Sequence, residues 1–252
     1  MRRPVVATLT LLGLAACTEG VNDVAPVQDV EALTAAHDTD ATDDVRVYEV
    51  TVHNLTANQA FTPPVAATHR WATTVFALGQ PASGGVQQIA ENGNIDPLVM
   101  ALSADPHVGD VQVGLGPVPP VLPGTARTFE ISAPGAEPVL SFVSMLICTN
   151  DGFTGVNKVV LPRAVGEMRS WSTRAYDAGT EVNTESFADL VPPCPSLSGV
   201  PSTVPGTGMS NPALAENGRV HRHYGIEGGG DLTPSIHDWR NPVARLEITR
   251  VR

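Results

Sequence analysis

Hydrophobic and polar residues alternate in short stretches along most of the chain. Alternation is clear in Val45–Val52, Thr128–Ile131 and Ala244–Thr249. A period of two places alternate side chains on one face, as in a half-buried β-strand. The phase changes between Val47 and Val50, which predicts a β-bulge in the first stretch.

One longer stretch, Val139–Cys148, is apolar at almost every position and predicts a central strand that is buried on both faces. Further strands are expected at Asn157–Leu161 and Arg169–Tyr176. The 23 glycines and 22 prolines are scattered along the chain, which is typical of short strands joined by turns.

Two short helices are expected between the first strands. One covers Ser83–Ala90. The other begins at Asp96-Pro97, with Asp96 as the capping residue and Pro97 in the first turn. The pattern as a whole predicts an all-β protein with short helices in its connections.

The first residues have the features of an export signal. Arg2 and Arg3 precede an apolar run, Val5–Ala16, which is shorter than the roughly 20 residues that a membrane-spanning helix needs. The run ends in the tetrapeptide 14–17 (LAAC), which resembles the lipobox of bacterial lipoproteins. We therefore expect lipid on Cys17; the alternative is an ordinary cleaved signal with an incidental cysteine.

The chain divides into three expected parts: a signal peptide (1–16), an acidic tether (17–44) and a folded domain (45–252). The tether holds eight acidic residues after Cys17 and no lysine or arginine. Such a segment buries too little apolar surface to offset its ordering entropy, and its like charges keep it extended. We expect a bacterial envelope protein, lipid-anchored at the outer membrane or cell surface, with no other membrane contact.

The charge of the protein excludes some partners. Loss of residues 1–16 removes Arg2 and Arg3 and no acid, so the formal charge changes from -11 to -13. Nucleic acid and anionic lipid both require basic surfaces, so neither is an expected partner. Cations remain compatible with this acidity.

Three cysteines are present, and Cys17 is assigned to lipid. Cys148 and Cys194 remain as an even pair, which in an oxidising compartment predicts a disulfide. The alternative is two buried free thiols.

Four phrases occur in order along the folded part and together resemble the spondin N-terminal domain family. The resemblance extends over roughly Val45–Arg252. The phrases are FTPPVAATH (61–69), NDGFTG (150–155), YDAGTE (176–181) and HDWRNPVA (237–244).

This resemblance implies an antiparallel β-sandwich of about eight strands with Greek-key connections, and a calcium ion held by acidic loops at one end. Animal members act in matrix adhesion, receptor binding or recognition of microbial surfaces. The family's acidic ligands correspond to Asp151, Asp177 and Glu181, and the glutamate departs from the usual aspartate. Asn150 is a further candidate ligand.

The residue types agree with that assignment. Calcium prefers six to eight oxygen ligands, and Gly179 allows the loop between Asp177 and Glu181 to turn tightly. The alternative is that these acids are ordinary turn residues, because aspartate is common in turns.

Other residues in the sequence are candidates for a metal, catalytic or sugar-binding site. His221, His223 and His237 could hold a transition metal, but surface histidines are the better interpretation. The Gly228-Gly229-Gly230 run is interpreted as a flexible turn. A hydrolase motif of the type Gly-x-Ser-x-Gly is absent from the sequence. Trp71, Trp171 and Trp239 are expected in the core or at its rim rather than on a sugar-binding face.

The sequence thus predicts a non-catalytic, calcium-binding adhesion or recognition module whose ligand is an extracellular protein or glycan. Two alternatives remain: a structural envelope lipoprotein without a specific ligand, and a carbohydrate-binding module. An undetected enzyme is a third.

Overall fold

The computed structural model describes residues 45–117 and 119–252. The expected signal peptide (1–16), the lipidation site Cys17 and the acidic tether (17–44) lie outside these residues. None of the helices in the part that the structure covers is both long and apolar enough to cross a bilayer.

The first layer is an antiparallel sheet of four strands in the order β4-β1-β10-β7. The first and last strands of the domain pair in its middle, with Val50 opposite Ile248. The strands are β1 (Arg46–Asn54), β4 (Ala126–Ala133), β7 (Met168–Thr173) and β10 (Ala244–Arg250).

The second layer is an antiparallel sheet of six strands in the order β3-β2-β5-β6-β8-β9. The strands are β2 (Val65–His69), β3 (Val108–Val113), β5 (Val139–Met145), β6 (Gly152–Val160), β8 (Ala175–Asp177) and β9 (His221–Arg222). The expected all-β sandwich is confirmed, with ten strands in place of about eight.

Two hydrophobic cores stabilise the domain. One lies between the sheets, where Tyr48 and Ile248 of the first sheet pack with Phe142 of the second. The other covers the outer face of the six-stranded sheet, where Val143 packs beneath Ile89 of a helix. The six-stranded sheet is therefore the one with buried residues on both faces. Its strand β5 is buried at all seven positions.

The two helices of this outer layer are α1 (Gly84–Asn92) and α2 (Asp96–Ser103). The side chain of Ser83 accepts a hydrogen bond from the Val86 amide and starts α1. The expected cap of α2 is wrong: Ile95 is the capping residue, and Asp96 lies inside the first turn. Two further short helices are α3 (Cys194–Ser198) and α4 (Pro234–His237).

The bulge expected in β1 is also wrong. The strand pairs with both neighbours without a shift of register. Tyr48, Val50 and Val52 face the core, while Val47 is only half-buried. The sequence pattern changes phase because Val45 and Val47 are apolar, although they lie at positions that alternate with the core-facing ones.

Candidate metal-binding loops

Strand pairing brings the first two predicted acidic residues together. Asp151 directly precedes β6, and Asp177 is the last residue of β8. These strands are antiparallel neighbours, with Gly152 opposite Asp177. The backbone carbonyl of Asp151 also accepts a hydrogen bond from the Ala178 amide. The two loops therefore meet at one edge of the sheet.

Asp151 is fully buried, and its two carboxylate oxygens differ in their surroundings. Oδ2 accepts hydrogen bonds from the Thr180 amide at 2.7 Å and the Glu181 amide at 3.1 Å. Oδ1 is buried and has no hydrogen-bond partner among the residues that the structure covers. An oxygen in that state is costly unless a donor or a cation satisfies it.

The pKa of the Asp151 carboxyl is raised to about 7, first by burial and then by the negative charge of Asp177. Its hydrogen bonds from Thr180 and Glu181 oppose that shift. A positive ion beside the two carboxylates would favour their ionised forms.

Asp177 is held in place on both sides of its carboxylate. Oδ1 accepts a hydrogen bond from the Gly179 amide, and Oδ2 accepts one from the Asn183 side chain, each at 2.8 Å. Nε2 of His221, on the neighbouring strand, lies 3.3 Å from Oδ1. Gly179 has a φ of +67°, and a Cβ there would lie 2.5 Å from the backbone nitrogen of Arg219. Glycine is therefore required for this turn.

Glu181 is buried, but its strongest charged neighbour is not one of the other two predicted ligands. Burial raises the pKa of its carboxyl to about 8, and the next contributions come from Glu91 and, after a weaker opposing hydrogen bond, Asp151. Its backbone amide donates a hydrogen bond to Asp151, and its carboxyl is affected by the charge of Glu91, which is also buried. Asp177 is the charged group that raises the pKa of Asp151.

Asn150, the further candidate ligand, positions the next loop. Its side-chain oxygen Oδ1 accepts a hydrogen bond from the Glu185 backbone amide, and its side-chain nitrogen Nδ2 donates one to the Thr184 hydroxyl. Its side chain thereby ties the loop before β6 to residues 184–185.

Glu185 was not predicted and is the anchor of another loop. Its carboxylate is buried and accepts hydrogen bonds from three successive amides, those of Glu227, Gly228 and Gly229, at 2.6–2.8 Å. It adopts a φ of +56°, which is uncommon for a residue with a side chain. At residues 228–230, where the sequence predicts a flexible turn, the Gly228 and Gly229 amides form with that of Glu227 an anion-binding nest that the Glu185 carboxylate fills.

The residues present supply part of what a calcium ion requires. Among residues 45–117 and 119–252, no three or more His, Cys, Asp or Glu side chains converge as a ready-made metal cluster. Calcium also takes amide and backbone carbonyl oxygens, so two carboxylates suffice as its anionic core. The unpartnered Oδ1 of Asp151 beside the Asp177 carboxylate fits that core.

Two of the three histidines near the end of the chain differ from expectation. His223 and His237 are buried, whereas the sequence predicted surface residues. Burial lowers the pKa of both imidazoles, so both favour the neutral form. His221 keeps a half-exposed side chain. Trp239, expected in the core or at its rim, packs edge-to-face on His223 with ring centroids 4.9 Å apart.

The family model of the spondin N-terminal domain (Spondin_N) matches residues 51–193. That range covers more than half of the 252 residues. The chain belongs to the spondin N-terminal family. No curated protein matches the sequence.

The matched range of this spondin domain includes Asp151, Asp177 and Glu181. It does not include β9 or β10, which complete the two sheets. Family membership indicates an extracellular recognition or adhesion module.

A disulfide joins Cys148, in the turn after β5, to Cys194 at the start of α3, with Cα atoms 5.1 Å apart. Both cysteines are buried. The bond fixes the turn that leads into Asn150 and Asp151.

Proposed function

We propose that this spondin domain is a non-catalytic recognition or adhesion module, stabilised by calcium and attached to the bacterial envelope through lipid on Cys17. The observation that supports calcium best is the buried, unpartnered Oδ1 of Asp151 next to the Asp177 carboxylate. Its ligand would be an extracellular protein or a glycan, and its membrane contact would be the lipid alone.

Asp151 and Asp177 would be the principal ligands, and Glu181 would contribute if its carboxylate reaches the same ion. The ion would supply positive charge where two carboxylates are gathered in a buried setting. Residues 177–183 would gain most, because they already wrap around Asp151 through backbone hydrogen bonds.

The non-catalytic part of the proposal is supported by the one serine–histidine pair that hydrogen-bonds in the residues covered by the structure. Nε2 of His69 lies 2.7 Å from Oγ of Ser141, a distance that suits a nucleophile and its base. Both residues are buried, at 0% and 1% exposure, so a substrate cannot approach the hydroxyl. This pair stabilises the junction of β2 and β5.

The calcium proposal is tested by melting the full chain in calcium and in chelator. A ligand that binds only the native state at ten times its dissociation constant adds about 1.4 kcal/mol of stability. Extracellular-type calcium sites have dissociation constants of about 10⁻⁴ to 10⁻³ M. We expect millimolar calcium to raise the melting temperature, and Asp177→Ala to abolish the rise.

Asp96→Asn is the matched control, because Asp96 is an exposed acid of α2 and is remote from these loops in sequence. It should leave the calcium response unchanged. A wild-type protein with the same melting temperature in calcium and in chelator would refute the site.

A further inference from the structure

A cleft of about 260 Å³ adjoins Asp177, on the side of β9. It lies next to the candidate metal-binding loops and shares only Asp177 with the predicted ligand set. Its size is below the usual 300–1,000 Å³ of drug-sized sites, so it suits a small ligand or one unit of a larger one. Four of its lining side chains carry the argument: Glu216, His223, Tyr224 and Glu227.

The loop that forms one wall of this cleft is held by hydrogen bonds. Glu185 accepts the amides of residues 227–229, and Asp238 accepts the amide of Ile226 at 3.2 Å. The Gly225 amide donates to Nδ1 of His223. A wall fixed before binding lowers the entropy cost of capturing a ligand.

His223 provides an unused hydrogen-bond donor. Its side chain lines the cleft, and the residue is only 7% exposed. Because burial favours the neutral ring and Nδ1 accepts the Gly225 amide, the ring proton belongs on Nε2. Nε2 has no partner among the residues that the structure covers, although buried donors are nearly always paired.

Tyr224 provides a flat apolar surface at the mouth of the cleft. It is 88% exposed, and its ring centroid lies 5.8 Å from that of His221. A tyrosine left so exposed beside a polar cleft offers an apolar face and a hydroxyl to a ligand that has both kinds of surface.

The polar groups restrict the class of ligand. The exposed carboxylates of Glu216 and Glu227 repel anions and accept hydrogen bonds. The Nε2–H of His223 needs an acceptor, which an ammonium or guanidinium group does not have. A hydroxyl both donates and accepts, and vicinal hydroxyls can donate to both oxygens of one carboxylate.

We propose that this cleft binds a neutral polyol, namely one sugar ring of a glycan, with Tyr224 against its apolar face and its hydroxyls on the carboxylates and His223. The inference rests on the proposed function as a recognition module and specifies its ligand class. It needs no bond to be made or broken in the sugar.

The test uses the full chain and measures saturation-transfer NMR and titrated affinity with the methyl glycosides of glucose, galactose and N-acetylglucosamine. We expect at least one glycoside to bind. Tyr224→Ala should weaken it about two- to tenfold, the value of one aromatic contact. Glu216→Gln, which keeps the shape of an exposed side chain, should also weaken binding.

Trp71→Ala is the matched control, since Trp71 is another exposed aromatic residue (55%) but does not line the cleft. It should bind the sugar as the wild type does. Melting curves of all variants establish that they are folded.

The inference is overturned if none of the three glycosides binds, or if Trp71→Ala weakens binding as much as Tyr224→Ala does. It is also overturned if free arginine binds at Tyr224 and the glycosides do not, because the cleft would then be a cation site. Calcium and chelator arms separate this result from the proposed function. A calcium-dependent melting temperature without sugar binding removes only the sugar, and sugar binding without a calcium response removes only the ion.

Discussion

At the scale of single residues, the loops around Asp151 and Asp177 contain buried acidic groups. Burial disfavours the ionised forms of these groups. The pKa of Asp151 is raised to about 7 and that of Glu181 to about 8, in both cases mainly by burial. An acid whose pKa is higher in the folded than in the unfolded protein binds its proton more tightly in the native state. Stability is therefore lost as pH rises from the ordinary pKa through the raised one.

Asp151→Asn tests this balance in the metal-free protein. In chelator, the free energy of unfolding of the wild type should fall between about pH 4 and pH 8, and the variant should lose less over that range. We expect the variant to be more stable at pH 8 by on the order of 1–3 kcal/mol, because no charge is buried. Urea unfolding at several pH values measures this, and a variant less stable than the wild type in chelator at pH 8 would contradict it.

His69 predicts a pH dependence of the opposite sign. Burial lowers the pKa of its imidazole, and its ring nitrogens lie within hydrogen-bond distance of the Arg70 carbonyl and the Ser141 hydroxyl. The unfolded chain takes up a proton below about pH 6.5 while the native state resists it, so stability falls as pH drops through that value. His69→Gln should flatten the slope below pH 6.5 in urea unfolding, whereas His107→Gln, at an exposed histidine, should not.

At the scale of elements, two connections hold the loops around Asp151 and Asp177 in place. The disulfide between Cys148 and Cys194 joins the turn after β5 to α3 over a separation of 46 residues. The carboxylate of Glu185 joins the loop after β8 to residues 227–229. Both connections fix segments that lack long regular structure, and so replace the hydrogen bonds that a sheet would have provided.

Replacing both Cys148 and Cys194 by serine should lower the free energy of unfolding by about 4 kcal/mol, the entropy of closing a loop of this length. Denaturant unfolding of the oxidised protein with and without reductant gives the same comparison without a substitution. Equal stability with and without reductant would contradict a stabilising role for this bond.

Glu185→Ala should leave three amides without their acceptor and release the loop of residues 225–230. We expect a loss of about 3 kcal/mol, because these are hydrogen bonds to a charged group. Faster hydrogen exchange at the Gly228 and Gly229 amides would show that the effect is local. Glu227→Ala serves as the control, since its side chain is exposed and its amide keeps the bond to Glu185.

At the scale of the whole molecule, a two-layer sandwich presents its candidate functional groups at one edge. Asp151, Asp177 and the cleft beside Tyr224 all lie where β6, β8 and β9 neighbour one another in the six-stranded sheet.

The lipid anchor predicts a simple fractionation result. Cys17→Ser should shift the protein from the membrane fraction to the soluble fraction, because the proposed anchoring depends on acyl chains on that one residue. Thr18→Ala, next to it, should leave the protein with the membrane. A Cys17→Ser protein that still sediments with membranes would contradict the anchor.

The strands with strong alternation or with a long apolar run were predictable because both patterns are local properties. β4, β5 and β10 correspond closely to the patterns at residues 128–131, 139–148 and 244–249. β2 and β3 were not predicted: the first is buried at every position and the second is half-buried at every position. Neither gives a period of two.

The candidate site shows the same division. The order of the motifs indicated Asp151, Asp177 and Glu181, and the register of β6 against β8 then brought the first two together. Glu185 had no signal in its own neighbourhood, because its three partners lie 42–44 residues further along the chain. A search for successive glycine amides with a buried acid as their partner could have suggested it.

By itself, the sequence determined the all-β class, the positions of its strongest strands and the acidic residues of two loops, since each depends on neighbours a few residues apart. Only the tertiary structure decided that Asp151 lies beside Asp177, that the charge of Glu91 acts on Glu181 and that His223 is buried with an unused Nε2. Those facts depend on burial and on contacts between distant segments, which fix the electrostatic setting of a side chain and leave no trace in a local pattern.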